Sequence, residues 1–341
     1  MNTTVFGLAL TLICALSGAL LAQAIGLPSA WLLGSMGASV LAALLKWPVK
    51  FPLWLQNVTV FVIAINVGGA LDIEALPALW RWLPSLLGML LSLWLTFMAI
   101  SWMLRRLGGF DKDSAFLAAY PGHLVLVLQV ARNFTTDIHR ITMLQSLRVL
   151  SLVAILPAAL HGMPLNEVNL HEAQTDWQAI PVIVIAALSG IVLAGWIRMP
   201  AALMIGAIVG ATVASFAGFS FGSLPVQAEH AILLLTGAMI GTRFVNADLR
   251  TLANILPVSL LAVILALCLS AMAAFPISKL VDVPFGQLLL AYAPGGAEVM
   301  AIIAMTIGYD PSFVGLHHVI RLLIMAIALP FFSQGVGRYR Y

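Results

Sequence analysis

Three stretches of this chain, residues 4–22, 180–197 and 254–278, contain no Asp, Glu, Lys or Arg. A helix needs roughly 20 predominantly apolar residues to cross a hydrocarbon core about 30 Å thick, and each run is of that order. The remainder offers no compensating charge. The 16 Lys+Arg and 13 Asp+Glu make only 9% of 341 residues, against about 25% in a soluble domain. With 62% hydrophobic residues and a mean hydropathy of +1.06, so few charges cannot cover a water-exposed body of this size. The expected architecture is an all-α polytopic membrane protein. A secreted disulfide scaffold, a nucleic-acid binder and an ordinary cytosolic enzyme are excluded.

The net charge of +3 and pI near 9.1 do not revive a nucleic-acid partner, because the basic residues are scattered, with no run of five or more. They read as topology signals between spans. Cys14 and Cys268 both fall within apolar stretches and are expected to be small buried hydrophobes. The first apolar run ends in Ala22-Gln23-Ala24, a pattern shared with signal-peptide cleavage sites. No Lys or Arg precedes it, and the same segment recurs inside the chain, so a structural span is expected there.

That recurrence is extensive. At an offset of 172, Ala15-Leu16-Ser17-Gly18 returns as Ala187-Leu188-Ser189-Gly190, followed by Pro28/Pro200, Ala30/Ala202, Gly34/Gly206 and Gly69/Gly241. At an offset of 173, Pro121-Gly122 returns as Pro294-Gly295, with Asp137/Asp310, Arg148/Arg321 and Pro157/Pro330 in register. One inserted residue relates the two offsets. The chain therefore divides into a first membrane repeat (1–160), a hydrophilic linker (161–178), a second repeat (179–335) and a short tail (336–341). Apolar segments are expected at 4–25, 29–45, 54–71, 83–104, 114–131 and 138–160, then at 179–197, 201–217, 227–242, 254–278, 286–305 and 314–335. Segments 29–45 and 201–217 are short, so they are either full spans or half-length re-entrant pieces, for a total of 10 to 12 transmembrane helices. Lys and Arg counts on alternate sides nearly balance. This leans towards an inverted-topology repeat without choosing it over a parallel one.

Two corresponding segments are interrupted. Pro121-Gly122-His123 breaks the first, and Pro294-Gly295-Gly296, with Glu298 two residues on, breaks the second. Proline removes a backbone donor and glycine lets the chain leave helical geometry. Within a membrane such breaks are tolerated where they are buried in protein or line a wet cavity, and paired breaks point to a transporter binding site. A plain kink near the interface is the alternative. Each half also carries an arginine in its last apolar segment, Arg148 and Arg321, with Gln145 three residues before the first, and His317 and His318 four and three before the second. An intramembrane charge needs a partner or a cavity. Two roles are open: contact with an anionic solute, or bonding to backbone carbonyls of the broken segment. Glu298 has Val125 as its counterpart, which suits either a coupling site present once per chain or a pair with Arg321. Asp137 and Asp310 stand where helices begin and read as caps. Asn66 is an uncharged polar residue available to line a cavity. The candidate solute-binding set is Pro121, Gly122, His123, Arg148, Pro294, Gly295, Gly296, Glu298, His318 and Arg321.

Enzymatic signatures are poor. The seven histidines give no i, i+4 pair, and neither a Gly-x-Ser-x-Gly elbow nor a phosphate-binding loop is present. No catalytic residue, metal or cofactor is expected. The expected partners are a small-molecule or ion substrate, the lipid bilayer and further copies of the chain, with no nucleic acid.

The duplicated unit, with Gly26-Leu27-Pro28-Ser29-Ala30 near its start, Pro294-Gly295-Gly296 after small residues, and Asp137 or Asp310 eleven residues before an intramembrane arginine, resembles the bacterial AbrB membrane-protein family. The first copy departs at His123, where the motif has its second glycine. The resemblance implies a multi-pass protein of the bacterial inner membrane. Two activities attach to the family, regulation of another gene's expression and ammonia monooxygenase chemistry. No copper-ligand set is evident for the second. Some members carry one copy of the unit, which implies dimerisation. The leading expectation is a gradient-driven secondary transporter for a small anionic or amphipathic solute. The alternatives are a membrane sensor acting indirectly on gene expression and, more remotely, a metal-dependent oxidase.

Overall fold

The computed structural model describes residues 3–69, 76–122, 127, 131, 136–163, 176–199, 201–219 and 225–336. Among them are thirteen α-helices and no β-strand. The first half gives α1 (Thr3–Ala24), α2 (Ala30–Leu44), α3 (Leu53–Gly69), α4 (Leu76–Arg106), α5 (Lys112–Ala119) and α6 (Ile138–Leu160). The second gives α7 (Ala179–Trp196), α8 (Ala202–Phe216), α9 (Val226–Gly241), α10 (Leu249–Val281), α11 (Phe285–Tyr292), α12 (Ala297–Ile307) and α13 (Pro311–Val336). Most of the 161–178 linker and the tail beyond 336 lie outside the described residues.

Each half opens on a hairpin whose arms meet at glycine. A Cβ on Gly18 of α1 would overlap the Gly34 carbonyl oxygen of α2, and one on Gly34 would overlap the Gly18 oxygen. Gly190 of α7 and Gly206 of α8 stand in the same relation. Lipid supplies no hydrophobic force between helices, so backbone approach through small residues holds such pairs together. The connecting turns match as well. Gly26 and Arg198, Ser29 and Ala201, Lys46 and Gly218, and Gly109 and Asp282 all have φ between 48° and 91°. These pairs keep the 172 and 173 spacings of the sequence.

The hairpins then exchange partners. α2 packs on α9, and α3 packs on α8. Trp31 of α2 stacks on His230 of α9 with ring centroids 4.4 Å apart. The last carbonyls of α3 would be orphaned inside the helix array. Thr212 and Ser215 of α8 donate to Gly68 O and Gly69 O at 3.2 Å each, and Ser312 of α13 donates to Val67 O at 3.3 Å. Every one of these bonds joins one half to the other.

α4 and α10 run side by side as the long members, 31 and 33 residues, and carry Pro84 and Pro257 at matching positions. Both extend beyond the apolar segments read from the sequence, because flanking polar residues continue the helix. α2 and α8 have only 15 residues each, about 22 Å at 1.5 Å per residue, which is shorter than the hydrocarbon core. The segment 286–305 is two short helices, α11 of 8 residues and α12 of 11, separated at the Pro294-Gly295 break. Cys14 is buried, but Cys268 is exposed on α10, contrary to its expected burial. An apolar outer face admits a cysteine as readily as a packed interior does.

Among the described residues five helices, beginning at Thr4, Trp80, Ile138, Ala179 and Leu249, are long and apolar enough to cross a bilayer. The chain is a membrane protein. Its outer apolar surface carries its own ruler: Trp80 (80% exposed) and Trp102 (62%) lie near the two ends of α4, about 33 Å apart along the axis. Exposed Trp177 and Trp196 flank α7 in the same manner. Tryptophan favours both bilayer interfaces, and this separation is close to one hydrocarbon thickness.

Left-handed backbone strains any residue with a Cβ. Arg198 holds φ 54° where the first half has Gly26. Arg198→Gly is expected to raise stability by about 0.5–1 kcal/mol, the relief of that strain less the extra chain entropy of glycine. Thermal unfolding in one fixed detergent checks it; a lower midpoint contradicts the strain argument.

Candidate functional site

The second break is explicit in the backbone. α11 ends at Tyr292, Ala293 leaves helical geometry (φ −57°, ψ 134°), and α12 starts only after Gly296 (φ −70°, ψ 137°). Ala293, Pro294 and Gly295 are all buried. Their carbonyls have lost the helix ladder and lie away from water, so they need donors from the protein. Arg321 of α13, only 2% exposed, provides them. Its Nη1 donates to Ala293 O at 2.8 Å and its Nη2 to Gly295 O at 2.6 Å. Of the two roles open to this arginine, the geometry puts its guanidinium on the carbonyls. One turn earlier, His318 Nε2 lies 3.0 Å from Leu290 O in α11; a carbonyl only accepts, so that nitrogen carries a proton.

The first break is built on the same plan up to Gly122. α5 ends at Ala119, and Tyr120 turns out of the helix at φ −59°, ψ 124°. Gln145 Nε2 of α6 donates to Leu117 O at 3.0 Å, the contact that His318 makes with Leu290 at corresponding positions. The caps correspond as well. Asp137 accepts from Arg140 N at 3.0 Å, and Asp310 accepts from Ser312 N at 2.8 Å and Phe313 N at 3.2 Å. The backbone N–H of Asp137 donates to Ser114 Oγ, and that of Asp310 approaches Gln287 Oε1 at 3.5 Å, the same distance back along the chain in each half.

Arg148 departs from this correspondence. It is 5% exposed, its Nε is buried with no hydrogen-bond partner, and it donates to neither Tyr120 O nor Gly122 O, the counterparts of the carbonyls that Arg321 holds. His123 lies outside the described residues. Glu298 is the second residue of α12, with its side chain outside the description.

Two tyrosines just ahead of the Pro-Gly motifs escaped the sequence reading. Tyr120 OH donates to Met325 O of α13 at 2.5 Å, and Tyr292 OH donates to Ser85 O of α4 at 2.7 Å. Each break is thereby tied to a helix of the opposite half. Met325 is one turn beyond Arg321, so a single stretch of α13 touches both breaks. His317 adds a third tie. Its Nδ1 lies 2.8 Å from Phe313 O and its Nε2 2.8 Å from Ser85 Oγ, with both residues fully buried. A tyrosine one or two residues ahead of each Pro-Gly, and a serine directly after Pro84, were the available signals. Asn66 lines a cavity of about 10 Å³ between α3, α9 and α12, room for roughly one water. Among the described residues no three His, Cys, Asp or Glu side chains cluster closely enough to hold a metal ion.

Residues 31–336 match the family described as "Transition state regulatory protein AbrB". The chain belongs to the AbrB family. It is similar to a Bacillus subtilis (strain 168) protein named "Uncharacterized protein YhjN", 22% identical over 347 residues, covering 93% of this chain and 90% of that one. It is also similar to an Escherichia coli (strain K12) protein named "Putative regulator AbrB", 24% identical over 326 residues and covering 93% and 92% of the two chains. The match runs through both breaks and both arginines, so the clamp lies within the family's own extent.

Removing the clamp leaves the buried Gly295 carbonyl without that donor, at about 1–3 kcal/mol, while Ala293 O keeps the Gly295 N–H at 2.8 Å and loses only its charge-assisted bond. Arg321→Gln is therefore expected to destabilise the protein more than Asp310→Ala, which forfeits a cap at about 0.5–2 kcal/mol. Unfolding of both variants in the same detergent makes the comparison; a larger loss for Asp310→Ala contradicts the clamp.

Proposed function

We propose that this AbrB-family protein is a multi-pass, gradient-driven transporter of the bacterial inner membrane, carrying a small anionic or amphipathic solute past the two Pro-Gly breaks. The observation that carries this reading is the buried, non-helical backbone at Ala293–Gly296, held by Arg321 in the middle of an apolar helix array. Purely structural helices have no need of such a segment, and broken helices place free backbone dipoles where a solute can use them. The ties from Tyr120 and Tyr292 bring both breaks to the junction of the halves, where rocking of one half against the other opens and closes access in repeat-built transporters.

The regulator wording of the family description and of the Escherichia coli relative favours a second reading, a membrane protein that alters gene expression indirectly. A transporter achieves this by changing the cellular level of a solute that regulators sense, so one experiment bears on both. Counterflow of labelled small carboxylates and phosphates is measured in proteoliposomes containing the full chain. Protein-dependent flux of at least one solute is expected. Absence of flux across the panel, in vesicles where the protein is folded and oriented both ways, overturns the transport reading and leaves the sensor.

A further inference from the structure

The two intramembrane arginines occupy corresponding positions yet do different work. Arg321 spends two of its nitrogens on Ala293 O and Gly295 O. The corresponding carbonyls of Tyr120 and Gly122 are both within the described residues, and Arg148 bonds to neither. The Nε of both arginines is buried and unpartnered, so the difference lies in the other guanidinium nitrogens, and among the described residues Arg148 forms no ion pair. Gln145 sets the last turn of α5 against α6 through Leu117 O, so Arg148, three residues on, stands level with the first break. The missing counter-charge is visible in the sequence as well. Where the second half supplies Glu298, the first supplies Val125. Asp111 and Asp137 are already committed at helix starts, to Ser114 N and Arg140 N.

A guanidinium cannot shed its proton, and an unpaired buried charge persists in a membrane protein only where something compensates it. The planar fork of Arg matches the paired oxygens of a carboxylate or phosphate better than it matches a spherical halide. Resting on the transport reading above, we infer that Arg148 is the anion-binding group of this protein: an oxyanion, carboxylate or phosphate, docks on its guanidinium at the first break, while Arg321 is the clamp that holds the second.

The test uses the full-length protein in detergent, titrated with sodium phosphate and with sodium acetate against sodium chloride at constant ionic strength. Affinity is read by calorimetry and by the shift of the unfolding midpoint. Both oxyanions are expected to stabilise the native protein more than chloride does. Arg148→Gln is expected to lose at least tenfold in affinity, whereas Arg321→Gln unfolds more easily but keeps its affinity. Arg148→Lys keeps a positive charge without the planar fork and is expected to bind both oxyanions severalfold more weakly while the protein stays folded; it decides the matter if Arg148→Gln does not fold. Unchanged binding in these Arg148 variants, or binding lost only in Arg321→Gln, overturns the inference. So does stabilisation by phosphatidylglycerol vesicles in place of the soluble anions, which assigns the charge to a lipid headgroup. Oxyanion binding without flux in proteoliposomes retains this inference and removes the transport reading. Flux of an anion that survives Arg148→Gln removes this inference alone.

Discussion

Backbone that leaves a helix inside a membrane exposes carbonyl oxygens that lipid cannot satisfy, and the surrounding fold has to be arranged to supply donors. In this protein the need is concentrated at Ala293 and Gly295, and the donor is the guanidinium of Arg321. The positions of several helices follow from it. α13 must run past the break at hydrogen-bonding distance, and His318 fixes it against α11 one turn earlier. His317 on the same turn ties it to Ser85 of α4, whose carbonyl also receives Tyr292. A charge in the interior is normally a cost. Here it is absorbed by two charge-assisted bonds to the carbonyls of the broken segment.

Duplication explains how such an arrangement was assembled, and divergence explains how it is used. Turn conformations, the Gly18–Gly34 and Gly190–Gly206 contacts, the Asp137 and Asp310 caps and the Gln145 and His318 contacts correspond in the two halves. The differences fall at the breaks: Arg148 is not bonded as Arg321 is, Glu298 faces Val125 in the alignment of the halves, and His123 replaces a glycine. Packing tolerates little change, which keeps the scaffold alike in the two halves while the breaks differ.

How much of this the sequence disclosed depends on the kind of signal. Helix ends were legible, since Pro28, Pro200, Asp137 and Asp310 punctuate long apolar runs and each punctuation has a local cause. The break at Pro294-Gly295 was legible for the same reason. The role of Arg321 was not, because whether a buried arginine meets a solute or a carbonyl depends on the distance between α11 and α13, and periodicity does not encode it. Tyr120 and Tyr292 were hidden more completely. Their hydroxyls reach backbone oxygens about 200 residues away, and a carbonyl acceptor leaves no mark in sequence because every residue has one. The exposure of Cys268 was hidden by the bilayer itself, whose apolar outer surface erases the inside–outside contrast on which burial is usually read.

The exchanged packing of α2 on α9 and α3 on α8 has a consequence for the order of assembly. Helices enter the bilayer individually and associate afterwards. α2 and α3 are made long before their partners, and α3 arrives with terminal carbonyls whose donors, Thr212, Ser215 and Ser312, do not yet exist. The first half is therefore a waiting structure during synthesis, holding an unfinished face in the membrane until the ribosome has delivered α8 and α9. The last helix, α13, both completes that face through Ser312 and clamps the break through Arg321.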